Sequence, residues 1–207
     1  MTDGFSKLTV KKLLSHSNCY PDTDILKNKA GIKDSKALAE FEADVTAIRQ
    51  YMLEKRPIKG KFGIAHLKNI HKFIFQDVYP FAGKFRLEDI WKGDTFFCKC
   101  QFIETNLNSL FSRLAGENWI KGLKAEFFSQ RAAYYMSELN MIHPFREGNG
   151  RTIREFIRCI ALESGFDIDW SLIDRQELLD ATIKAVDNIY EPLEKCLGMV
   201  TIKAQED

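Results

Sequence analysis

Apolar side chains recur at every third or fourth position through most of this chain. In one segment, which follows the candidate N-caps Asp34 and Ser35, they stand at Leu38, Phe41, Val45, Ile48 and Met52. In a second, closed by the turn residues 79–83, they stand at Ile64, Leu67, Ile70, Ile74 and Val78. This spacing places them on one face of an α-helix, and such a face packs against other helices. We therefore expect two core-packing helices in this part of the chain.

The later segments continue this pattern with one interruption. Helical spacing returns over residues 103–114, 127–142 and 153–160, and a final helical region covers about 174–197. Residues 85–91 and 95–98 are instead short β-prone runs around the turn Lys92-Gly93-Asp94, which predicts a hairpin. No alternation of strands and helices indicates a parallel sheet. The predicted fold class is all-α, a helical bundle with one small β-hairpin.

The overall composition limits the function classes. The chain has 207 residues, enough for one domain with a sizeable core. Its net charge is +1, so no overall field would attract nucleic acid or an anionic membrane. Five cysteines without dense, regular spacing favour reduced thiols. No apolar stretch has the pattern of a signal peptide or a membrane span, so we expect a cytoplasmic protein, with export lacking a cleaved signal left open.

One segment, residues 143–154, concentrates the residues that can do chemistry. It joins two apolar-faced helices through a short loop, and Gly148 and Gly150 flank Asn149 where the second helix begins. A helix N-terminus exposes unpaired N–H groups and partial positive charge, so this glycine-rich start suits an anion such as a polyphosphate. Arg151 and Arg154, three positions apart on one helix face, could each grip phosphate oxygens.

Two further residues complete this set. Glu147 carries the same sign of charge as a phosphate, and a carboxylate beside a phosphate site is best explained by Mg²⁺ between them. His143 lies across the loop from the phosphates and is a candidate base. Each residue alone has an ordinary structural explanation, as a structural histidine, a turn or a solvated face. Their combination in this order within one loop favours a catalytic site.

The same segment resembles the signature of a known family. It reads His143-Pro144-Phe145-Arg146-Glu147-Gly148-Asn149-Gly150-Arg151-Thr152-Ile153-Arg154. This matches the Fic (filamentation induced by cAMP) signature, His-Pro-Phe-x-Asp/Glu-Gly-Asn-Gly-Arg-x-x-Arg, at every defined position. The wider similarity covers most of the chain and is greatest to short class I, toxin-type bacterial Fic proteins. The resemblance implies an N-terminal extension at 1–33, a Fic domain at 34–200 and a C-terminal tail at 201–207.

The resemblance implies a protein adenylyltransferase, which moves AMP from ATP to a Tyr, Thr or Ser hydroxyl of another protein. His143 would be the general base, with an ordinary pKa near ~6.5 that leaves much of it neutral at cellular pH. Phe145 would anchor the loop in the core, and Glu147 would hold Mg²⁺ against the α- and β-phosphates. The remaining nucleotide contacts would fall to Gly148, Asn149 and Gly150 as the anion hole, Arg151 on the β-phosphate and Arg154 on the γ-phosphate.

The predicted hairpin resembles the family's flap, which pairs with the target protein by strand addition and places the target hydroxyl near the base. Main-chain pairing would supply the register, and side-chain pockets would supply selectivity. A purely structural hairpin is the alternative. The flap residues are Lys92, Gly93, Asp94, Thr95, Phe96 and Phe97.

Three other functions compete with adenylyl transfer. One is a Fic-like enzyme that transfers another phosphate-containing group; relatives that phosphorylate place bulk in the anion hole, whereas Gly148 and Gly150 are both present here. A nucleotide-sensing module without turnover would not need His143. A zinc hydrolase is disfavoured because Cys98-x-Cys100 lacks the usual two-residue spacer and the other histidines are scattered.

The resemblance also bears on partners and regulation. The target is expected to be a DNA topoisomerase subunit, as for toxin-type relatives, with a host protein as the alternative. In the family, a glutamate in the pattern Ser/Thr-x-x-x-Glu-Gly/Asn blocks the arginine at position 154. Here Glu147 belongs to the active motif, and Glu117 has Arg113 as its fourth preceding residue. We expect no inhibitor within this chain, and a small antitoxin-like protein that supplies the glutamate.

Overall fold

The structure is a computed structural model that describes residues 18–93 and 95–204. These residues form seven α-helices, which confirms the predicted all-α fold. The helices are α1 Ser35–Lys55, α2 Ile64–Phe75, α3 Ile103–Gly116, α4 Ala125–Ile142, α5 Asn149–Glu163, α6 Arg175–Val186 and α7 Glu191–Val200. Three short 3-10 turns lie at Cys100–Phe102, Asn118–Ile120 and Trp170–Leu172. None of the described helices is long and apolar enough to cross a membrane.

Helix α5 lies at the centre of the core. It packs against α2 and α4, and α7 packs in turn against α4 and α6. The face predicted for α5 is confirmed, because Ile153, Phe156, Ile157 and Ile160 are all buried. Burying one side chain of this size stabilises a fold by about 1.5 to 3 kcal/mol. The N-terminus of α5, where the predicted anion site lies, is therefore carried by a firmly packed helix.

Helix α1 buries only part of the face predicted for it, with Phe41 and Val45 packed against the core but partly exposed. Leu38 is buried as expected, but Ile48 and Met52 are 63% and 45% exposed. The helix turns Thr46 and Leu53 inward instead. The inner position of Thr46 is stabilised because its hydroxyl accepts a hydrogen bond from a side chain of α5. The prediction was wrong for Ile48 and Met52, because apolar spacing cannot identify a polar residue that finds a buried partner.

The predicted hairpin is confirmed, with shorter strands than expected. Strands β1 Trp91–Lys92 and β2 Thr95–Phe96 pair antiparallel. The turn residue Asp94 lies outside the described residues. Beyond the strands, the N–H of Phe97 still donates across the hairpin to the carbonyl of Ile90 at 3.3 Å, whereas the N–H groups of Arg86 and Cys98 donate to carbonyls in the 141–144 segment. The hairpin base is thus tied to the end of α4.

Both predicted terminal segments contribute to the fold. Within the extension, Cys19 and Leu26 form an antiparallel bridge and are both buried. Within the tail, β4 Thr201–Lys203 pairs antiparallel with β3 Phe166–Ile168. The sequence did not predict this second sheet, because its strands have only three residues each. The division of the chain after residues 33 and 200 stays a prediction.

Candidate active site

The loop that carries the candidate chemistry connects α4 to α5. His143 caps the C-terminus of α4 in a left-handed conformation, with φ of 46°, and its N–H donates to the carbonyl of Leu139 at 3.0 Å. Gly148 is the N-cap of α5, also left-handed, with φ of 78°. Between them, Phe145 is fully buried and stacks on His71, with ring centroids 3.8 Å apart. The loop is therefore held between two helix ends by a buried aromatic side chain.

His143 is held by its ring as well as by its backbone. The imidazole stacks on Phe97 with ring centroids 3.8 Å apart, and Nδ1 lies 3.0 Å from the carbonyl oxygen of Asn140. A carbonyl can only accept, so Nδ1 carries the proton and Nε2 keeps a lone pair. A lone pair on Nε2 is what a general base needs.

The pKa of His143 is lower than the sequence suggested. Burial lowers it to about 4, and the positive charges of Arg86 and Lys92 act in the same direction, while the Asn140 carbonyl opposes them. The expectation of an ordinary pKa near ~6.5 was wrong because it took no account of desolvation. The imidazole is consequently neutral over the whole cellular pH range.

Gly148 meets a strict steric requirement. A Cβ built on it would lie 2.1 Å from Cζ of Phe75, and its positive φ also disfavours any side chain. Gly150 is different, because the first atom near its built Cβ is Nη1 of Arg154, at 3.5 Å. The fold needs a glycine at position 148, whereas at position 150 the missing side chain leaves open space beside an arginine.

Asn149 holds the loop with its side chain. Its Oδ1 accepts from the N–H of Phe145 at 2.9 Å, and its Nδ2 donates to the carbonyl of the same residue at 2.8 Å. The backbone N–H groups of Asn149, Gly150 and Arg151 have no acceptor among the described residues. Three donors at a helix N-terminus can receive an anion. Asn149 therefore contributes to the predicted anion hole through its backbone.

Arg151 is bound to α1. Its guanidinium pairs with Glu42, donates to Oγ1 of Thr46 at 3.0 Å and lies 4.7 Å from the ring centroid of Phe75. Glu42 also accepts a hydrogen bond from the hydroxyl of Tyr79. The sequence did not reveal Glu42 or Thr46, because the pairing of Glu42 with Arg151 spans 109 residues. A polyanion at this site would share Arg151 with Glu42.

Arg154 has no acidic partner in the described part of the chain. Burial lowers its pKa to about 10, with the like charges of Arg151 and Arg175 acting in the same direction. The guanidinium still carries its charge at cellular pH. A desolvated cation without a counter-ion is costly, and an anionic ligand would offset that cost. Arg154 is therefore suited to bind a phosphate or a carboxylate.

Glu147 is the carboxylate of the loop, and its side chain is 43% exposed. Oε1 accepts from the N–H of Gly148 at 2.8 Å and lies 3.7 Å from Nη2 of Arg151. The described residues contain no group of three or more His, Cys, Asp and Glu arranged to hold a metal by themselves. Magnesium often binds one or two carboxylates together with substrate phosphates, and Glu147 fits a metal that is bound in that way.

The flap presents some of its predicted residues and buries another. Lys92 and Phe96 are exposed, and the ring of Phe96 lies 4.7 Å from that of Trp91. Phe97 is only 4% exposed, so its side chain cannot contact a docked target, and its place in a flap that pairs through the main chain stays a prediction. Its ring stacks on the imidazole of His143. The flap and the base therefore share a direct contact.

His71 is a site residue that the sequence did not single out. It is fully buried, its Nδ1 accepts from the N–H of Gly83 at 2.8 Å, and its Nε2 donates to the carbonyl of Glu147 at 3.0 Å. Burial lowers its pKa to about 4. A second proton would face the N–H of Gly83, so His71 must stay neutral to hold the loop.

His71 makes stability depend on pH. Its folded pKa of about 4 lies below the ordinary value, so the unfolded chain takes up the proton first as pH falls. The free energy of unfolding is highest above pH ~6.5 and falls towards pH 4, by about 3 kcal/mol from His71 alone. Urea unfolding at pH 7 and pH 4 measures this loss, and His71→Gln should flatten it. An equally steep loss in that variant would contradict the assignment.

The chain resembles proteins of known class. The Fic/DOC family model matches residues 61–161. The chain is 47% identical to the protein adenylyltransferase VbhT of Bartonella schoenbuchensis over 165 residues, which are 80% of the chain and 34% of VbhT, so it spans about a third of that relative. It is 36% identical to the probable protein adenylyltransferase y4lH of Sinorhizobium fredii, over 84% of the chain and 90% of that relative.

A solved structure resembles the whole architecture. It is the N-terminal Fic domain of a cell filamentation protein of Bartonella quintana, a VirB-translocated Bep effector, with bound ADP. The TM-score is 0.88 at 30% identity, and the match covers 93% of this chain and 97% of that one. The fold, the loop between α4 and α5 and the relatives agree, and the chain belongs to the Fic/DOC family.

Proposed function

We propose that this chain transfers AMP from ATP to a Tyr, Thr or Ser hydroxyl of another protein, with His143 as the general base. One observation carries the proposal: a neutral histidine with a free Nε2 shares a short loop with a helix N-terminus that has three unpaired N–H groups and an unpaired Arg154. A base and a polyanion site thus lie side by side. That combination suits the attack of a hydroxyl on a nucleotide phosphate.

The class of enzyme is supported by the relatives. Curated relatives at 47% and 36% identity are named as protein adenylyltransferases, and this chain is an enzyme of the same class. A similar Fic domain has been solved with bound ADP, which supports a nucleotide as the substrate.

In the proposed step, Nε2 of His143 takes the proton of the target hydroxyl as its oxygen forms a bond to the α-phosphorus of ATP. The bond from that phosphorus to the bridging oxygen breaks, and pyrophosphate leaves. The N–H groups of Asn149, Gly150 and Arg151 stabilise the developing negative charge. The guanidinium of Arg154, beside Gly150, would bind the γ-phosphate. Arg151 would bind the β-phosphate while it remains paired with Glu42.

Glu147 is proposed to hold Mg²⁺ against the α- and β-phosphates. Glu147→Gln keeps the Oε1 acceptor for Gly148 and removes the charge, so we expect about ten times more Mg²⁺ for half-maximal transfer, equivalent to about 1.4 kcal/mol. A magnesium titration measures this change. Glu147→Asp, which keeps the charge, is the matched control and should respond less. An unchanged magnesium requirement in Glu147→Gln would assign the metal to the phosphates alone.

The alternative is transfer of another phosphate-containing group. The open space beside Gly150 favours AMP transfer, because the phosphorylating relatives fill the anion hole. Addition of the purified chain to a bacterial lysate should increase protein labelling from ATP labelled at the α-phosphate, and should not increase labelling from ATP labelled at the γ-phosphate. Labelling only from the γ-phosphate would indicate a kinase-like reaction. Labelling from neither position, in a bacterial and in a eukaryotic lysate alike, would indicate a module that binds nucleotide without turnover.

The biological role proposed here is the toxin of a toxin–antitoxin pair, with a topoisomerase subunit as the target. Arg154 lacks an acidic partner among the described residues, which leaves a place for a glutamate from a separate small protein. Exposed apolar residues on the nearby α1, Ile48, Tyr51 and Met52, suit the docking of such a protein. The second candidate is a host-directed effector, favoured by the similarity to the Bartonella quintana protein, which is a VirB-translocated effector.

Co-expression separates these two roles. A toxin expressed alone should arrest bacterial growth and label a bacterial protein, and a small inhibitor encoded beside it should relieve both effects. An effector should label a protein only in a eukaryotic lysate. Silence of the isolated chain, followed by activity after truncation of its own N- or C-terminal segment, would instead indicate an inhibitor within the chain.

A further inference from the structure

Arg86 is a buried cation that binds mainly backbone. The residue is 2% exposed, and its guanidinium donates to four carbonyl oxygens. The acceptors are His143 at 2.8 Å from Nε, Glu88 at 2.6 Å from Nη1, Ile142 at 3.3 Å from Nη2, and Cys98 from the same Nη2. Its own backbone N–H donates to the carbonyl of Pro144 at 3.0 Å.

These acceptors belong to two parts of the site. The first part is the turn of residues 142–144, which carries the base. The second consists of Glu88 and Cys98, which lie on either side of the flap strands. A second link runs parallel to the first, because Oδ1 of Asp89 lies 3.9 Å from Nη1 of Arg86 and accepts from the N–H of Cys100 at 2.7 Å. One side chain thus joins both ends of the flap to the catalytic turn.

Burial of the Arg86 guanidinium costs free energy. Burial alone lowers the pKa of Arg86, and the carboxylate of Asp89 lies at a distance where the attraction is weaker than in a close ion pair. Apolar side chains of similar volume often stabilise a fold as well as buried charges do. Five planar donors in a fixed fork, however, can fix several carbonyls at defined positions, which apolar packing cannot.

We propose that Arg86 is a positioning residue that fixes the flap relative to His143, so that a target segment paired with the flap brings its hydroxyl within reach of Nε2. The proposal rests on the proposed function, because it concerns how the acceptor meets the base. A misplacement of about 1 Å between reacting groups can cost about 10²-fold in rate. The nucleotide site lies on the other side of the loop, at the N-terminus of α5, and should be unaffected.

Arg86 also acts on His143 through its charge. The charged groups that lower the pKa of His143 are Arg86 and Lys92, while the Asn140 carbonyl accepts from Nδ1 and the Phe97 ring stacks on the imidazole. Loss of the charge at position 86 should therefore raise the pKa of His143. Replacement of the fork by another cation should leave that pKa low. This difference between the two variants separates the effect of the Arg86 charge from the effect of its hydrogen-bond geometry.

The test uses Arg86→Lys, Arg86→Gln and the matched control Arg158→Lys. Arg158 is similarly buried, but it binds Glu155, Asp167 and the carbonyl of Leu53, outside the loop and the flap. Transfer is measured with α-phosphate-labelled ATP and a bacterial lysate. Both Arg86 variants should lose about 10²-fold in kcat with the KM for ATP within about twofold of the wild type. Arg158→Lys should lose stability while each folded molecule keeps its kcat.

Two measurements without turnover complete the test. Nuclear magnetic resonance titration of His143 should show a raised pKa in Arg86→Gln and a pKa near that of the wild type in Arg86→Lys. Hydrogen exchange of the Cys98 and Cys100 amides should be faster in both variants. Unchanged exchange, or losses of activity that only follow stability as in Arg158→Lys, would overturn the proposal. A wild-type chain without transfer activity in either a bacterial or a eukaryotic lysate would instead refute the proposed function, while exchange and titration would still decide whether Arg86 couples flap and base.

Discussion

His143→Ala should lower the rate of AMP transfer by about 10² to 10⁴-fold, the usual contribution of a general base. ATP affinity should remain within about twofold, because the donors of the nucleotide site are the N–H groups of residues 149–151 and the guanidinium of Arg154. In the wild type the imidazole contacts Phe97 and Asn140. Its removal should therefore leave the N-terminus of α5 intact. Binding and turnover should therefore separate in this variant.

Calorimetric titration with ATP and the labelling assay measure these two quantities on the same preparation. His66→Gln is the control for the loss of a buried histidine, because His66 binds the carbonyl of Ile58 away from the loop. That control should keep the wild-type kcat in its folded fraction. A loss of ATP affinity and of folding together in His143→Ala, with normal transfer by the remaining folded molecules, would show that His143 is structural.

Alanine at the two glycines of the loop should affect different properties: stability at position 148 and transfer activity at position 150. Gly148→Ala places a methyl group 2.1 Å from the Phe75 ring at a φ of 78°, so we expect a loss of about 2 to 4 kcal/mol in the free energy of unfolding. Gly150→Ala meets its first neighbour only at 3.5 Å and has no strained φ, so its stability should change by less than about 0.5 kcal/mol. Its methyl group enters the space beside Arg154, and transfer should fall by about 10²-fold.

Denaturant unfolding and the labelling assay distinguish the two variants. We expect Gly148→Ala to be destabilised, and Gly150→Ala to be stable but poorly active. Full activity in Gly150→Ala would show that the open space beside Arg154 is not occupied by the nucleotide in the reaction. A wild-type stability in Gly148→Ala would show that Phe75 can move away, and that the close approach does not shape the loop.

The sequence predicted those parts of the site that are contiguous in the chain. Residues 143–154 could be interpreted locally because a helix end, a loop and a helix start follow one another, and the buried face of α5 follows from its own spacing. Glu42 and Arg86 were missed because their partners at the start of α5 and in the loop lie 109 and 57 residues away, respectively. Neither residue stands in a pattern that distinguishes it from an ordinary surface charge.

Burial explains the remaining errors. The pKa of His143 depends on how much protein surrounds the ring, and no local spacing reports that quantity. Part of the inner face of α1 was misjudged for a related reason, since Thr46 is buried and binds Arg151 while Ile48 stays exposed. Phe97 was expected at the docking surface, but the sequence cannot show that its ring lies against His143.

The chemical nature of the adduct on a modified protein decides whether this site transfers AMP. The purified chain is incubated with ATP, Mg²⁺ and a bacterial lysate, and the modified protein is analysed by mass spectrometry. AMP transfer through His143 predicts one adenosine and one phosphate on a Tyr, Thr or Ser side chain, and no adduct with His143→Ala. A phosphate without adenosine, or an adduct that forms equally well with His143→Ala, would contradict this mechanism.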